Sequence, residues 1–339
     1  MNALKKISAL LRRHAQAFWY VLTVVLPAII RTGRRPVIFS RFAGMGDVVA
    51  TFPVALELKR RHSGARFIYN CAASFACLPR MGGVTGHVTS FPGIGLVGHW
   101  YGWLLAGFYH FSYGDEFAHS ASTEITIREY GRPFGVEVGD AHPELAVDAE
   151  TLARVKSRLA QLGCPLENLI VIHPGPSWPV RTWPHAAWLG MLDELRRRGL
   201  GNVVQIGASI RAYTNVGAED FPPLPDIRSL VDELTIPETV ALISLARLFV
   251  GIDSGLMHFA ACVRTPAVGI FGATTPELRF ARNYARHFVT SRVECQGCHH
   301  RIPRLHWEKN CPHDIRCMKS IPVEEVLQAC LNILPAAKG

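Results

Sequence analysis

The feature that most restricts how this chain can fold is the alternation of short apolar runs with helical periods through its second half. Asn168–Ile172 reads as a strand, Pro184–Arg198 as a helix with apolar residues at helical spacing, and Asn202–Ile206 as a strand again. The series continues with a helix over Pro237–Ala246, a strand over Leu248–Ile252, a helix over Gly255–Cys262 and a strand over Pro266–Phe271. Strands that are apolar on both faces need cover on both sides, which a parallel sheet between two layers of helices provides. The first half opens the same way: a strand at Val37–Ser40, a glycine-bearing turn at Arg41–Asp47, a helix over Val48–Arg61 and a strand at Arg66–Tyr69. The expected class is α/β throughout.

With 339 residues, two domains are expected. Residues 128–150 are charged, contain Pro133 and Pro143 and lack periodicity, so the boundary is placed there. This divides the chain into a segment 1–35, a domain 36–150 and a domain 151–339. An apolar share of 49% and a charged share of 19% exclude disordered, collagen-like and disulfide-scaffold classes.

The net charge of +9 is concentrated at one end. Residues 1–35 hold Lys5, Lys6, Arg12, Arg13, Arg31, Arg34 and Arg35 and no acidic group, leaving 29 basic against 27 acidic residues elsewhere. The nearly neutral body offers no sign of a nucleic-acid partner. Between Arg13 and Arg31 runs an apolar stretch of about 16 residues, roughly 24 Å as a helix and short of the roughly 30 Å hydrocarbon core. Its flanks do not suit signal-peptide cleavage. The preferred expectation is a helix lying in an anionic membrane surface, with Phe18, Trp19 and Tyr20 as interfacial anchors. The alternative is a helix packed on the protein itself.

Ligands of open parallel sheets bind where strands end and loops lead into helices. Three stretches fall there. In Val250-Gly-Ile-Asp-Ser-Gly-Leu-Met-His258, a strand runs into Asp253 and a helix starts at Ser254 or Gly255, giving free N–H groups suited to a diphosphate, with His258 one turn along. The plainer reading makes Asp253 or Ser254 only an N-cap. The loop His173-Pro-Gly-Pro-Ser-Trp-Pro-Val-Arg-Thr-Trp-Pro184 is stiffened by four prolines and offers Arg181 to phosphate oxygens; its alternative is a rigid turn with Trp178 and Trp183 packed inward. In Ala43-Gly-Met-Gly-Asp47, the carboxylate either acts as a general base or caps the following helix.

Taken together these stretches resemble glycosyltransferase family 9, the ADP-heptose:lipopolysaccharide heptosyltransferases. The resemblance rests on Gly46-Asp47 with Thr51-x-Pro53, His173-Pro-Gly175 with Trp183-Pro184, Asp253-Ser-Gly-x-x-His258, Thr265-Pro266 and Phe271-Gly272-x-Thr274-x-Pro276. It implies a GT-B architecture, two Rossmann-like domains with parallel sheets facing across a cleft, with the acceptor on the N-terminal domain and the nucleotide sugar on the C-terminal one. It implies an inverting transfer in which Asp47 is the general base and Arg181 neutralises the departing diphosphate. Gly46, Ser177, Asp253, Ser254, Gly255 and His258 would complete substrate binding. The implied donor is ADP-heptose and the implied acceptor a lipopolysaccharide core or related glycolipid, at the inner face of the inner membrane. Gly207-Ala-Ser-Ile-Arg211 departs from the Gly-Gly and Glu of many relatives, so the nucleotide is inherited from the resemblance alone. Alternatives of the same fold use another nucleotide sugar or a protein acceptor, and a different class is a non-enzymatic, metal-organised binding module.

Five cysteines, Cys71, Cys77, Cys164, Cys262 and Cys330, lie scattered in apolar context, as small buried hydrophobes of a reducing compartment do. The other four form Cys295-x2-Cys298-x12-Cys311-x5-Cys317 among His299, His300, His306 and His313. Four thiolates can close a tetrahedral shell around a structural zinc or iron ion, leaving no open position for substrate. The alternative is four reduced thiols in a loop. No cofactor is expected for the chemistry itself.

Overall fold

A computed structural model of the chain describes residues 2–111, 124–209, 220–301 and 311–334. It divides into two compact units, Met1–Glu116 with Ile127–Gly139, and Phe117–Thr126 with Asp140–Gly339.

The first unit holds a four-stranded parallel sheet of β1 (Val37–Ser40), β2 (Phe67–Asn70), β3 (Val88–Thr89) and β4 (Gly107–His110). Its spatial order is β3-β2-β1-β4, so chain direction along the sheet reverses between β1 and β4, and β1 is buried along its whole length. The helix expected over Val48–Arg61 is two helices, Met45–Ala50 and Phe52–Arg61. Pro53 has no N–H to continue the first ladder and is well placed in the opening turn of the second. Thr51 at the junction donates its hydroxyl to the Val48 carbonyl and shares a 2.7 Å hydrogen bond with Tyr69 Oη.

The basic, apolar segment is helical from Asn2 to Thr32, widening to a π-turn over Val21–Val25 and ending at Gly33 in the left-handed region. The Leu26 N–H reaches the Val21 carbonyl, and Pro27 has no N–H of its own to give, so the ladder loosens for one turn. Ala17, Tyr20, Val21 and Val25 share a core cluster with Ile38, Ile68, Ile94, Val97 and Leu105. The packed-helix alternative therefore holds for this face. Tyr20 is no interfacial anchor: it is buried, its ring stacks on Phe91 at 5.2 Å and its hydroxyl meets Thr89 Oγ1 at 3.0 Å. Phe18 and Trp19, one and two positions away, stay exposed. Residues Ile7–Thr32 form one helix long and apolar enough to cross a membrane by length and composition, longer than the apolar run alone indicated.

The second unit holds six parallel strands, β5 (Ile170–His173), β6 (Val203–Gln205), β7 (Arg228–Ser229), β8 (Leu248–Ile252), β9 (Ala267–Phe271) and β10 (Val289–Thr290). The order β10-β9-β8-β5-β6-β7 is the doubly wound arrangement, with its reversal between β5 and β8. Both expected strands that opened on Asn begin later. Asn168 takes a left-handed φ of 52°, and the Asn202 side chain donates to the Pro165 and Glu167 carbonyls. Trp183 and Trp188, edge to face at 5.3 Å, anchor the core beneath the sheet, and the Trp183 indole N–H donates to the Ile321 carbonyl. Two of the three expected ligand stretches thus emerge at the carboxyl ends of β5 and β8, beside the reversal.

Candidate active site

Strand β8 delivers Asp253 into a buried position, 4% exposed, just before the helix Gly255–Cys262. Ser254 holds the N-cap position but makes no side-chain capping bond, and among the described residues its buried hydroxyl has no hydrogen-bond partner. Asp253 Oδ2 instead accepts from the Thr274 hydroxyl at 2.7 Å and lies 3.4 Å from Arg181 Nε. Burial opposes its ionisation, but the Arg181 and Arg279 guanidiniums, the Thr274 hydroxyl and His258 outweigh it and hold the carboxyl well below the usual carboxylate range. Arg181 also donates to the Asp253 carbonyl at 3.4 Å and lies 4.9 Å from the Trp178 ring centroid. The two tryptophans of its loop therefore differ: Trp183 is core, as the alternative reading held, whereas Trp178 carries the cation. Ser177 is buried beside them in sequence.

At the base of that loop His173 is buried and its Nδ1 lies 3.1 Å from the Ile206 carbonyl. Burial pushes its imidazole down to about 4 against the pull of that carbonyl. Gly207, at a φ of 141°, passes so close that a Cβ would stand 3.0 Å from the His173 ring. Ile210 and Arg211 of the departing stretch lie outside the described residues.

His258, 7% exposed, pairs Nδ1 to Nε2 with His142 at 2.7 Å, and Phe280 packs on both rings at 4.7 and 5.0 Å. Burial and the neighbouring His258 imidazole drive His142 well below its usual range. His142, Thr274 and Arg279 were given no role from sequence. Thr274 stood inside a quoted motif and Arg279 three residues after it, whereas His142 sits in the aperiodic stretch before Pro143, where nothing marks it.

In the first unit Asp47 lies in the opening turn of the helix Met45–Ala50 rather than in the turn before it, and Gly44 takes the cap position. Tyr130 donates its hydroxyl to Asp47 Oδ1 at 2.7 Å, and Arg41 Nη2 lies 3.8 Å from the same oxygen. Arg41 is itself buried, donates to Tyr130 Oη at 3.0 Å and sits between the Phe111 and Tyr130 rings at 5.1 and 4.8 Å. The Asp47 side chain remains 34% exposed, anchored at one oxygen and still reachable. Gly46 is buried at the same turn. Neither Arg41 nor Tyr130 carried a sequence signal, because they come from positions 89 residues apart.

Burial and the neighbouring thiols push Cys317 up to about 11, and raise Cys298 in the same sense, so each thiol disfavours charging the next. The Cys295 side chain beside it raises the Arg316 guanidinium. The donor set has the chemistry of a closed thiolate site. Among the described residues, however, no three or more His, Cys, Asp or Glu side chains are grouped so as to hold a metal ion. The four thiols are neighbours without being drawn together, and His306 lies outside the described residues.

Lipopolysaccharide heptosyltransferase 3 of Escherichia coli K12 is 26% identical over 222 residues, which are 64% of this chain and 60% of the relative. Lipooligosaccharide heptosyltransferase 2 of Haemophilus influenzae is 32% identical over 140 residues, 40% of this chain and 39% of the relative. The chain spans about half the length of the curated relatives it matches. Among solved structures, the dodecameric iron-containing heptosyltransferase TibC, in complex with ADP-D-beta-D-heptose, matches with a TM-score of 0.63 at 20% identity, covering 88% of this chain and 76% of TibC. ADP-heptose lps heptosyltransferase II of E. coli matches with a TM-score of 0.60 at 16% identity, covering 88% of this chain and 98% of that one. The two parallel-sheet units are thus the Rossmann-like pair of the GT-B fold. The sequence model of glycosyltransferase family 9 (heptosyltransferase) matches residues 109–306, more than half of the chain, and the chain belongs to that family.

Proposed function

We propose that this chain is an inverting glycosyltransferase that moves a heptose from ADP-heptose to a lipopolysaccharide core or a related glycolipid acceptor. One observation carries the reading: in a family 9 chain, Arg181, Asp253 and the start of the helix Gly255–Cys262 meet at the reversal of the doubly wound sheet, where such folds bind phosphates. The names of the relatives and the ADP-heptose complex of TibC support the choice of donor and acceptor.

In this mechanism Asp47 takes the proton of the acceptor hydroxyl. The freed oxygen pair attacks the anomeric carbon opposite the diphosphate, forming the new glycosidic bond as the bond to the β-phosphate oxygen breaks, and ADP leaves with that electron pair. The configuration inverts. Tyr130 and Arg41 fix the base at one oxygen. Arg181, held over Trp178 and against Asp253, meets the charge growing on the diphosphate, a contribution that is largest where water is excluded. The backbone amides at Ser254 and Gly255, with Ser177 and the His142–His258 pair, hold the donor. Every step draws on the chain's own residues.

A structural zinc or iron held by Cys295, Cys298, Cys311 and Cys317 belongs to the same reading, supported by their thiol chemistry and by the iron of TibC. Elemental analysis of protein purified without added metal is expected to find about one ion per chain; metal-free, folded protein overturns this part. A glycolipid acceptor places the enzyme at the inner face of the inner membrane. Exposed Phe18 and Trp19 would enter its interface, joined by Trp100 and Trp103, with His14 lying 5.8 Å from the Trp100 ring.

The test is product analysis after incubation with nucleotide sugars and with core-oligosaccharide, glycolipid and protein acceptors. Heptose transferred from ADP-heptose to the core or glycolipid supports the reading. Transfer to protein alone, or from another donor alone, replaces it.

A further inference from the structure

The first turn of the cysteine cluster is built into the donor site. Gly297 N–H donates to the Gly272 carbonyl at 3.0 Å and His299 N–H to the Ala273 carbonyl at 2.9 Å, so the Gln296–His299 segment lies along the three residues that follow β9. The Gln296 side-chain amide donates to the Thr274 carbonyl at 3.3 Å. Thr274 is the residue whose hydroxyl binds Asp253, and Asp253 holds Arg181. One chain of hydrogen bonds and charges therefore runs from a side chain between Cys295 and Cys298 to the guanidinium of the phosphate site. The backbone contact is close: a Cβ at Gly297 would stand 2.4 Å from the Thr275 hydroxyl.

We propose that the Cys295–His299 turn is a positioning element of the nucleotide-diphosphate site, with Gln296 acting through Thr274 and Asp253 on Arg181. The proposal rests on the donor-site reading above and deepens it. Gln296 and Thr274 are positioning residues, since neither is placed against substrate. The first two links are hydrogen bonds and the last is an ion pair, each to a buried or half-buried group, so loss of the Gln296 donor frees the Thr274 carbonyl and loosens the carboxylate behind it.

The experiment uses the full chain and titration calorimetry with ADP, UDP, GDP and CDP, with thermal unfolding alongside. Gln296→Met keeps the side-chain length and removes the donor. It is expected to weaken binding of the preferred diphosphate about fivefold to tenfold, the loss of one hydrogen bond, while the melting temperature moves by no more than about 3 °C. Thr274→Val is expected to weaken binding at least as much, Thr274→Ser to retain it, and Gln296→Met to add nothing in the Thr274→Val background. In turnover, donor KM rises and acceptor KM holds. A stable Gln296→Met protein with unchanged diphosphate affinity overturns the proposal, as does full additivity of the two losses. If the wild type binds none of the four diphosphates, the donor-site reading falls and the positioning role falls with it.

Discussion

The charges of the second unit are sealed in, and the carboxylate of the first is left within reach. Asp253 is 4% exposed and tied to Arg181 and Thr274, whereas the Asp47 side chain is 34% exposed and tied at one oxygen to Tyr130 and Arg41. The difference suits the two tasks proposed for these groups. A site that stabilises growing negative charge works best when its dipoles are already oriented in a low dielectric. A base must touch an incoming hydroxyl, so it needs access and a fixed orientation more than depth.

The largest expected effect falls on the exposed side. Asp47→Asn keeps the shape and removes the base, and kcat is expected to drop by about 10²–10⁴-fold with diphosphate affinity unchanged; near-normal turnover in steady-state assays would break the contrast. Arg181→Ala acts on the sealed side, where kcat is expected to fall by about 10²–10³-fold and donor KM to rise. It also leaves Asp253 buried without its nearest cation, destabilising the fold by about 3 kcal/mol in urea titration. A loss of rate without any loss of stability would mean that the two charges are not coupled as their 3.4 Å separation implies. Tyr130→Phe removes only the hydroxyl on Asp47, for an expected fall in kcat of about tenfold at unchanged donor affinity.

The smallest effect is a slope. His173 and His142 have folded-state affinities for protons pushed below the ordinary histidine value, to about 4 for His173. The unfolded chain therefore binds protons first as pH falls. Stability is full above about pH 6.5 and is lost as pH falls from there, down to about 4 for His173, by up to about 1.4 kcal/mol per pH unit for each histidine. Asp253, depressed in the carboxylate range, adds its own loss only below about pH 4. Urea midpoints measured between pH 7.5 and 4.5 should slide downward on acidification, and a flat profile would show these imidazoles to be solvated.

Strand–loop–helix units are written locally, and most of the α/β pattern was legible for that reason. Leu248–Ile252 and Gly255–Cys262 fall where the apolar periods put them, and Asp253, at the end of one and the start of the other, could be read directly as a site residue. Local chemistry also hid things. The split at Thr51 depends on the N–H that Pro53 lacks, and the delayed starts of β5 and β6 depend on asparagines that turn or cap the entering chain. Tyr20 looked like its neighbours Phe18 and Trp19 because aromatic composition does not say which helix face meets the sheet.

By itself the sequence determined the two parallel-sheet units, the loop that carries Arg181 and the helix start after Asp253, since each depends on residues within a few positions of one another. Only the tertiary structure decided that Tyr130 and Arg41 hold Asp47, that His142 pairs with His258, that Trp183 is core while Trp178 supports a cation, and that Gln296 reaches Thr274. The contacts of Tyr130, His142 and Gln296 join residues that the chain keeps far apart. No local period encodes them, because they exist only once sheet order has brought separate loops to the same strand ends.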